Sequence, residues 1–212
     1  MADYIRDEEE QAERLKEWWQ KNGTATIVVI VLAIGSMIGW RQWQEHSSGQ
    51  AAEASKVYES LVAGLGQGGD AEQVRSAADT LLEDFESTAY ADYARLALAK
   101  LAADEGNLNG AAEQLKAVAE DAASKELEYT ARVRLARVQI EQGDLDAAEQ
   151  QISRTFPEAW EAQALELKGD IAGAREKWDA ARDAYTGALE ALDNGAAKDR
   201  VQMKLDDLKS QS

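Results

Sequence analysis

The sequence predicts an all-α protein: a single N-terminal transmembrane helix followed by a stack of antiparallel helix pairs. Three observations carry that expectation. An uncharged apolar stretch lies near the amino terminus. The chain holds one proline and is rich in Ala, Leu, Glu, Gln and Lys, all good helix formers apart from the proline. A helix–turn–helix pattern then returns three times along the carboxyl-terminal part. A hydrophobic content of 45% suits a chain that folds.

Composition also removes whole classes of function. With 23 Lys and Arg against 40 Asp and Glu, the net charge is −17. A general nucleic-acid binder needs cations to replace phosphate counterions, so that class is excluded. Cysteine is absent, which removes disulfides, thiolate nucleophiles and Cys-ligated zinc. The one histidine, His46, reads as a solvated residue beside the apolar stretch. Paired carboxylates such as Asp206-Asp207 lack the convergent, perturbed setting that a catalytic pair requires. The expectation is a protein without catalytic residues, metal ligands, cofactor site or small-molecule substrate, hence not an enzyme.

Taken in order, residues 1–21 form an acidic leader that contains Asp7-Glu8-Glu9-Glu10. The 19 residues from Asn22 to Trp40 carry no charge. A helix rising about 1.5 Å per residue covers roughly 28 Å over such a length, close to the hydrocarbon thickness. Trp18 and Trp19 precede the stretch, and Trp40 and Trp43 follow it, as an interfacial aromatic belt would. Lys21 and Arg41 bracket it as snorkelling cations. The transmembrane helix is therefore placed at 22–43. A buried helix of a soluble protein fits these flanks poorly. A cleaved signal peptide fits poorly too, because the leader is long and acidic and the small residues Ala51 and Ala52 lie far beyond the span. Arg14, Lys16 and Lys21 outnumber Arg41 and Lys56 near the span, which puts the amino terminus in the cytoplasm. On that topology the Asn22-Gly23-Thr24 sequon is idle. Gly35 and Gly39 form a small-xxx-small pair suited to packing against another membrane helix, although glycine is also common in spanning helices.

Residues 44–70 read as a juxtamembrane helix and a glycine-rich loop. Ala51, Ala54, Val57, Tyr58, Leu61 and Val62 recur at helical spacing, and Gly64 to Asp70 breaks the pattern. No strand precedes these glycines and no Lys-Ser/Thr follows, so they do not form a phosphate loop. Residues 71–212 read as helix after helix: 71–85, 88–105, 108–122, 125–142, 145–154, 158–174, 178–192 and 197–209. Short loops make neighbours antiparallel. The repeat aligns Glu105-Gly106-Asn107-Leu108 with Gln142-Gly143-Asp144-Leu145 and with Glu176-Lys177-Trp178. The intervals are 37 and 33 residues, on either side of the tetratricopeptide period of about 34. Small residues at Ala99, Ala136 and Gly169, and at Ala111, Ala148 and Ala181, let paired helices approach closely. Leu115, Ile152 and Tyr185 fill the grooves between repeats. Gly106 and Gly143 end the first helices in the left-handed conformation, and Asp144 or Asp146 caps the next helix. The carboxyl-terminal part is thus a tetratricopeptide-like antiparallel helical repeat solenoid. Trp160 and Trp178 are expected to pack between its helices.

The order of these parts is more telling than any one of them. An acidic leader, an anchor ending Gly39-Trp40-Arg41-Gln42-Trp43, the stretch Arg134-Leu135-Ala136-Arg137-Val138-Gln139 and the closing Gln202-Met203-Lys204-Leu205-Asp206-Asp207-Leu208 resemble the YfgM family, ancillary subunits of the bacterial SecYEG translocon. The resemblance runs over nearly the whole chain. It implies a single-pass type II protein of the bacterial inner membrane, with the amino terminus cytoplasmic and the repeat domain in the periplasm. It implies association with the SecYEG translocon and the periplasmic chaperone PpiD, and a role in passing exported proteins from translocon to periplasmic chaperones. The alternative on the same features is a tetratricopeptide adaptor of another bacterial envelope assembly.

The first helix of each tetratricopeptide repeat lines the inner face of the stack. By the repeat alignment, the partner-binding positions are Tyr93, Leu96 and Lys100 in the first repeat, Val133 and Arg137 in the second, and Glu166 and Asp170 in the third. Lys100 and Arg137 occupy equivalent positions. They either hold a partner's carboxylate or, as charges on helix faces more often do, pair internally with Asp104, Glu105 or Glu141.

Overall fold

A computed structural model describes residues 2–66, 69–193 and 195–208; for residues 2–12 only the backbone is described. The side chains of the acidic run in the leader, and Gln67 and Gly68 of the glycine-rich loop, lie outside the described residues. Every regular element among the described residues is a helix: α1 (Ala2–Gly64), α2 (Ala71–Asp84), α3 (Ala89–Asp104), α4 (Leu108–Glu120), α5 (Lys125–Glu141), α6 (Leu145–Ile152), α7 (Glu158–Ala174), α8 (Trp178–Glu190) and α9 (Ala196–Leu208). The chain divides into two compact units, Met1–Gln50 and Ala51–Ser212.

The first unit is the leading part of α1. It contains one stretch long and apolar enough to cross a membrane, and only 6% of that window is buried by protein. Ile27, Val31, Ile34 and Ile38 are each at least half exposed. Apolar side chains left bare around a whole helix are what a lipid-facing segment presents. The tryptophans associate at each end, with ring centroids 6.4 Å apart for Trp18 and Trp19 and 5.2 Å apart for Trp40 and Trp43. Nothing would meet a Cβ at Gly35 or Gly39, so that face of α1 is open.

The second unit is a run of four helix hairpins closed by α9. Residues 51–64 of α1 pair with α2, α3 with α4, α5 with α6, and α7 with α8. Residues 51–64, read from the sequence as part of a juxtamembrane helix, form the first arm of the first hairpin. Ala54 and Leu61, at 0% and 1% exposure, pack with Val74, Ala78 and Leu81 of α2 and with Ala94 and Ala97 of α3. Three further clusters continue the core. Leu115, Val118, Ala131 and Leu135 join α4 to α5; Val133, Ile152, Phe156 and Leu167 join α5, α6 and α7; Tyr185, Val201 and Leu208 join α8 to α9. A fully buried Leu such as Leu61, Leu81, Leu135 or Leu167 contributes about 2 kcal/mol of burial.

The turns explain why the hairpins form where they do. Gly106 (φ +77°) and Gly143 (φ +81°) take the left-handed conformation that ends α3 and α5. In each turn two carbonyls of the ending helix are satisfied: Gly106 N donates to Ala103 O and Asn107 N to Ala102 O, while Gly143 N donates to Ile140 O and Asp144 N to Gln139 O. The third turn repeats the pattern without glycine. Glu176 adopts φ +56°, with its N–H donating to Gly173 O and that of Lys177 to Ala172 O. Asn107 and Asp144 then cap α4 and α6, accepting from Gly110 N and Ala147 N at 3.0 and 3.1 Å. Of the two expected caps, Asp144 fills the role and Asp146 pairs instead with Arg175.

Candidate partner-binding groove

The first helices of successive hairpins present a groove made of three adjoining cavities. The cavity between α3 and α5 has a volume of about 330 Å³, with Leu96, Ala99, Ala103 and Val138 as its floor and Lys100, Arg134, Arg137 and Glu141 around its rim. The second, about 460 Å³, extends toward the first hairpin and is lined by Tyr58, Leu65, Tyr93, Leu127 and Arg134, among others. The third, about 560 Å³, lies toward the carboxyl end among Thr130, Arg134, Arg137, Trp160, Glu166, Arg200 and Lys204. Arg134 borders all three cavities.

The seven expected positions divide between groove and interior. Tyr93 is 39% exposed and stacks with Tyr58 at 5.4 Å, forming an aromatic end to the groove. Leu96 is 8% exposed and contributes floor rather than rim. Lys100 stands at the rim and donates to Asp104 at 2.6 Å, the internal pairing weighed for it. Arg137 stands at the same rim and makes no ion pair with Asp104, Glu105 or Glu141. Val133 is not an exposed inner position. At 1% exposure it faces α6 and α7 in the core, because the α5 residues turned to the groove include Leu127, Thr130, Arg134, Arg137, Val138 and Glu141. Glu166 borders the third cavity but is only 3% exposed. Asp170 lines none of these cavities and is engaged from two sides, accepting from Tyr185 Oη at 2.8 Å and Lys204 Nζ at 2.7 Å.

Arg134 and the α9 cations are not among the groove positions expected from the repeat alignment. For Arg134 a signal existed: residues 130, 134, 137 and 141 are polar at helical spacing between the apolar positions 131, 135 and 138. For Arg200 and Lys204 no local signal existed, since they reach α7 across 34 and 38 residues. Trp160 packs on Tyr129 at 5.5 Å and donates from Nε1 to Thr130 Oγ1 at 3.3 Å, and Trp178 packs beside the α8–α9 core.

The end of the groove is an ion network that fastens α9. Arg200 grips Glu166 through two hydrogen bonds of 2.9 and 2.8 Å, and Lys204 bridges Glu166 and Asp170. Burial pushes the Glu166 carboxyl up, but the hydrogen bonds and charges of Arg200 and Lys204 outweigh it and bring it to about 2. A carboxyl held below its ordinary value contributes stability above about pH 4.5 that is lost as the pH falls toward 2. With Arg200 half exposed, the contribution is about 2 kcal/mol. The chain should therefore lose stability between pH 5 and 2. Glu166→Gln should be less stable at pH 7 and show a flatter dependence in that window, as measured by urea unfolding. Equal slopes for the two proteins would remove Glu166 from the account.

The architecture defines a class: a repeat protein with a tetratricopeptide-like groove and, among the described residues, one candidate membrane span. Comparison with known proteins agrees with that class and narrows it. The family model described as a tetratricopeptide repeat-like domain matches residues 16–210. A protein of Haemophilus influenzae named ancillary SecYEG translocon subunit is 30% identical over 97% of this chain and 99% of its own length. Proteins of the same name from Escherichia coli and Neisseria gonorrhoeae are 29% and 24% identical, each over at least 95% of both chains. No solved structure matches the chain. The chain belongs to the YfgM family of ancillary SecYEG translocon subunits.

Proposed function

We propose that the protein is a membrane-anchored interaction module of protein export. The span at 22–43 holds it in the bacterial inner membrane as a single-pass type II protein. The leader at 1–21 is cytoplasmic and the repeat domain periplasmic. The protein associates with the SecYEG translocon and with the periplasmic chaperone PpiD, and helps pass exported proteins to periplasmic chaperones. It acts by binding, without catalysis. The observation that carries this reading is the joint one: end-to-end similarity to proteins named as translocon subunits, together with an apolar span whose side chains no protein covers. The groove supports it by supplying a surface on which a polypeptide can lie.

Affinity purification of the full-length chain from membranes in mild detergent tests the reading. The expected result is recovery of SecY, SecE and SecG, with PpiD among the co-purified proteins. A preparation free of translocon subunits would overturn it. A version lacking residues 1–46, purified in parallel, is expected to lose the translocon if the spanning helix makes the association.

A further inference from the structure

The groove holds a charge that the fold leaves uncompensated. The chain has a net charge of −17, yet the three cavities are lined by five cations, Lys100, Arg134, Arg137, Arg200 and Lys204, against three carboxylates, Glu126, Glu141 and Glu166. Three of these five are neutralised within the protein: Lys100 by Asp104, Arg200 by Glu166, and Lys204 by Glu166 and Asp170. Arg134 and Arg137 are different. Neither makes an ion pair with a carboxylate among the described residues, and they stand three residues apart on the groove face of α5. Burial, and then the neighbouring Arg137, lower the pKa of Arg134. Both influences are costs to the cationic form, and the opposite charge of an incoming carboxylate would offset them. Below the pair lies an apolar floor of Leu96, Ala99, Ala103 and Val138.

We infer that Arg134 and Arg137 form an acidic-residue seat, and that the groove takes a polypeptide segment with an Asp or Glu side chain beside an apolar one. The carboxylate accepts hydrogen bonds from the two guanidinium groups, whose planar forks suit bidentate pairing. The neighbouring apolar side chain fills the cavity of about 330 Å³ between α3 and α5. The overall negative charge repels acidic chains at long range, so the seat selects for local sequence rather than for bulk acidity. This inference rests on the reading of the groove as a polypeptide-binding surface and adds the chemistry of what it holds.

The test uses the full-length chain in detergent micelles and a fluorescein-labelled peptide, Gly-Ser-Gly-Leu-Glu-Leu-Gly-Ser-Gly, read by fluorescence anisotropy. Its counterparts carry Gln or Lys in place of Glu. The Glu peptide is expected to bind at least tenfold more tightly than the Gln peptide. The double variant Arg134→Glu/Arg137→Glu should abolish that preference and bind the Lys peptide better than the Glu peptide. Because neither arginine makes an ion pair within the fold, the variant should keep the wild-type melting curve; if it melts early, the milder Arg134→Gln/Arg137→Gln replaces it. Equal binding of the Glu and Gln peptides, or a preference that survives charge reversal, would overturn the inference. So would an arginine-dependent affinity for phosphatidylglycerol vesicles without peptide binding, which would make the seat a lipid site. Translocon co-purification with the double variant separates the two claims. If it persists while peptides fail to discriminate, the seat is refuted and the export role stands. If it is absent from the wild type, the export role itself fails.

Discussion

A chain carrying both Val31→Arg and Ile34→Arg should leave the membrane fraction. Eight Ile, Leu and Val residues lie between Ile27 and Ile38. Near the centre of a spanning helix each contributes roughly −0.3 to −0.6 kcal/mol, so together they supply about −4 kcal/mol. Each arginine at such depth costs about 2.5–3.5 kcal/mol, so the pair adds roughly 6 kcal/mol and forfeits about 1 more of apolar gain. The sum changes sign. Both positions are at least half exposed, so the substitutions touch no protein core and should leave the repeat domain folded. Carbonate extraction of membranes followed by immunoblotting checks this. A double variant that still resists extraction would show that the stretch is not what holds the protein to the bilayer.

The second large effect is expected at Gly169 of α7. A Cβ there would sit 2.3 Å from Cε1 and 2.4 Å from Cδ1 of Tyr185. The tyrosine ring cannot easily yield, because it is 5% exposed and its hydroxyl donates to Asp170 at 2.8 Å. For Gly169→Ala, helix propensity returns up to about 1 kcal/mol while overpacking costs about 1–3, so overpacking wins. Gly169→Val adds a branched side chain, and a loss of about 3 kcal/mol is expected. For a unit of this size that lowers Tm by roughly 9 °C. Gly169→Val combined with Tyr185→Ala should lose less than the sum of the two single losses, because the clash is removed with the ring. Strictly additive losses would contradict this close approach of α7 and α8.

The close approach at Gly169 was legible in the sequence, and the reason is local. Ala99, Ala136 and Gly169 repeat with the turns that follow them, and a small residue at such spacing has one ready meaning in paired helices. Helix ends were legible for the same reason. Gly106, Gly143 and Asp144 announce their turns chemically, and the expected spans agree with α2 to α9 to within two residues at each end. The third turn carries Glu176 in the left-handed conformation, where the sequence offered only its spacing from the other two.

What the sequence hid depends on distant partners. The sequence places Glu166 on the inner face, and nothing near it in sequence is basic enough to bury it, apart from Lys168 on another face. Its burial is made by Arg200 and Lys204, which arrive from α9. The alignment that places Arg137 on the groove also pairs Val133 with Leu96, but in α5 that position faces α6 and α7, and Arg134 beside it faces the groove. A single position in a helix turns a side chain by about 100°, which suffices to exchange core for groove. The pairing of residues 51–64 with α2 also depends on contacts that the local sequence does not announce. The packing of Ala54 and Leu61 on Val74 and Leu81 appears only in three dimensions.

The central claim joins an anchored helix to a groove that holds polypeptide in transit. Photocrosslinking in living cells tests it most directly, with a photoreactive amino acid placed singly at Thr130 in the groove and at Met37 in the span of the full-length chain. Crosslinks to a translocon subunit or its membrane partner from Met37, and to exported polypeptides or periplasmic chaperones from Thr130, are the predicted result. Adducts from Thr130 confined to cytoplasmic proteins, with none to the translocon or its membrane partner from Met37, would contradict it.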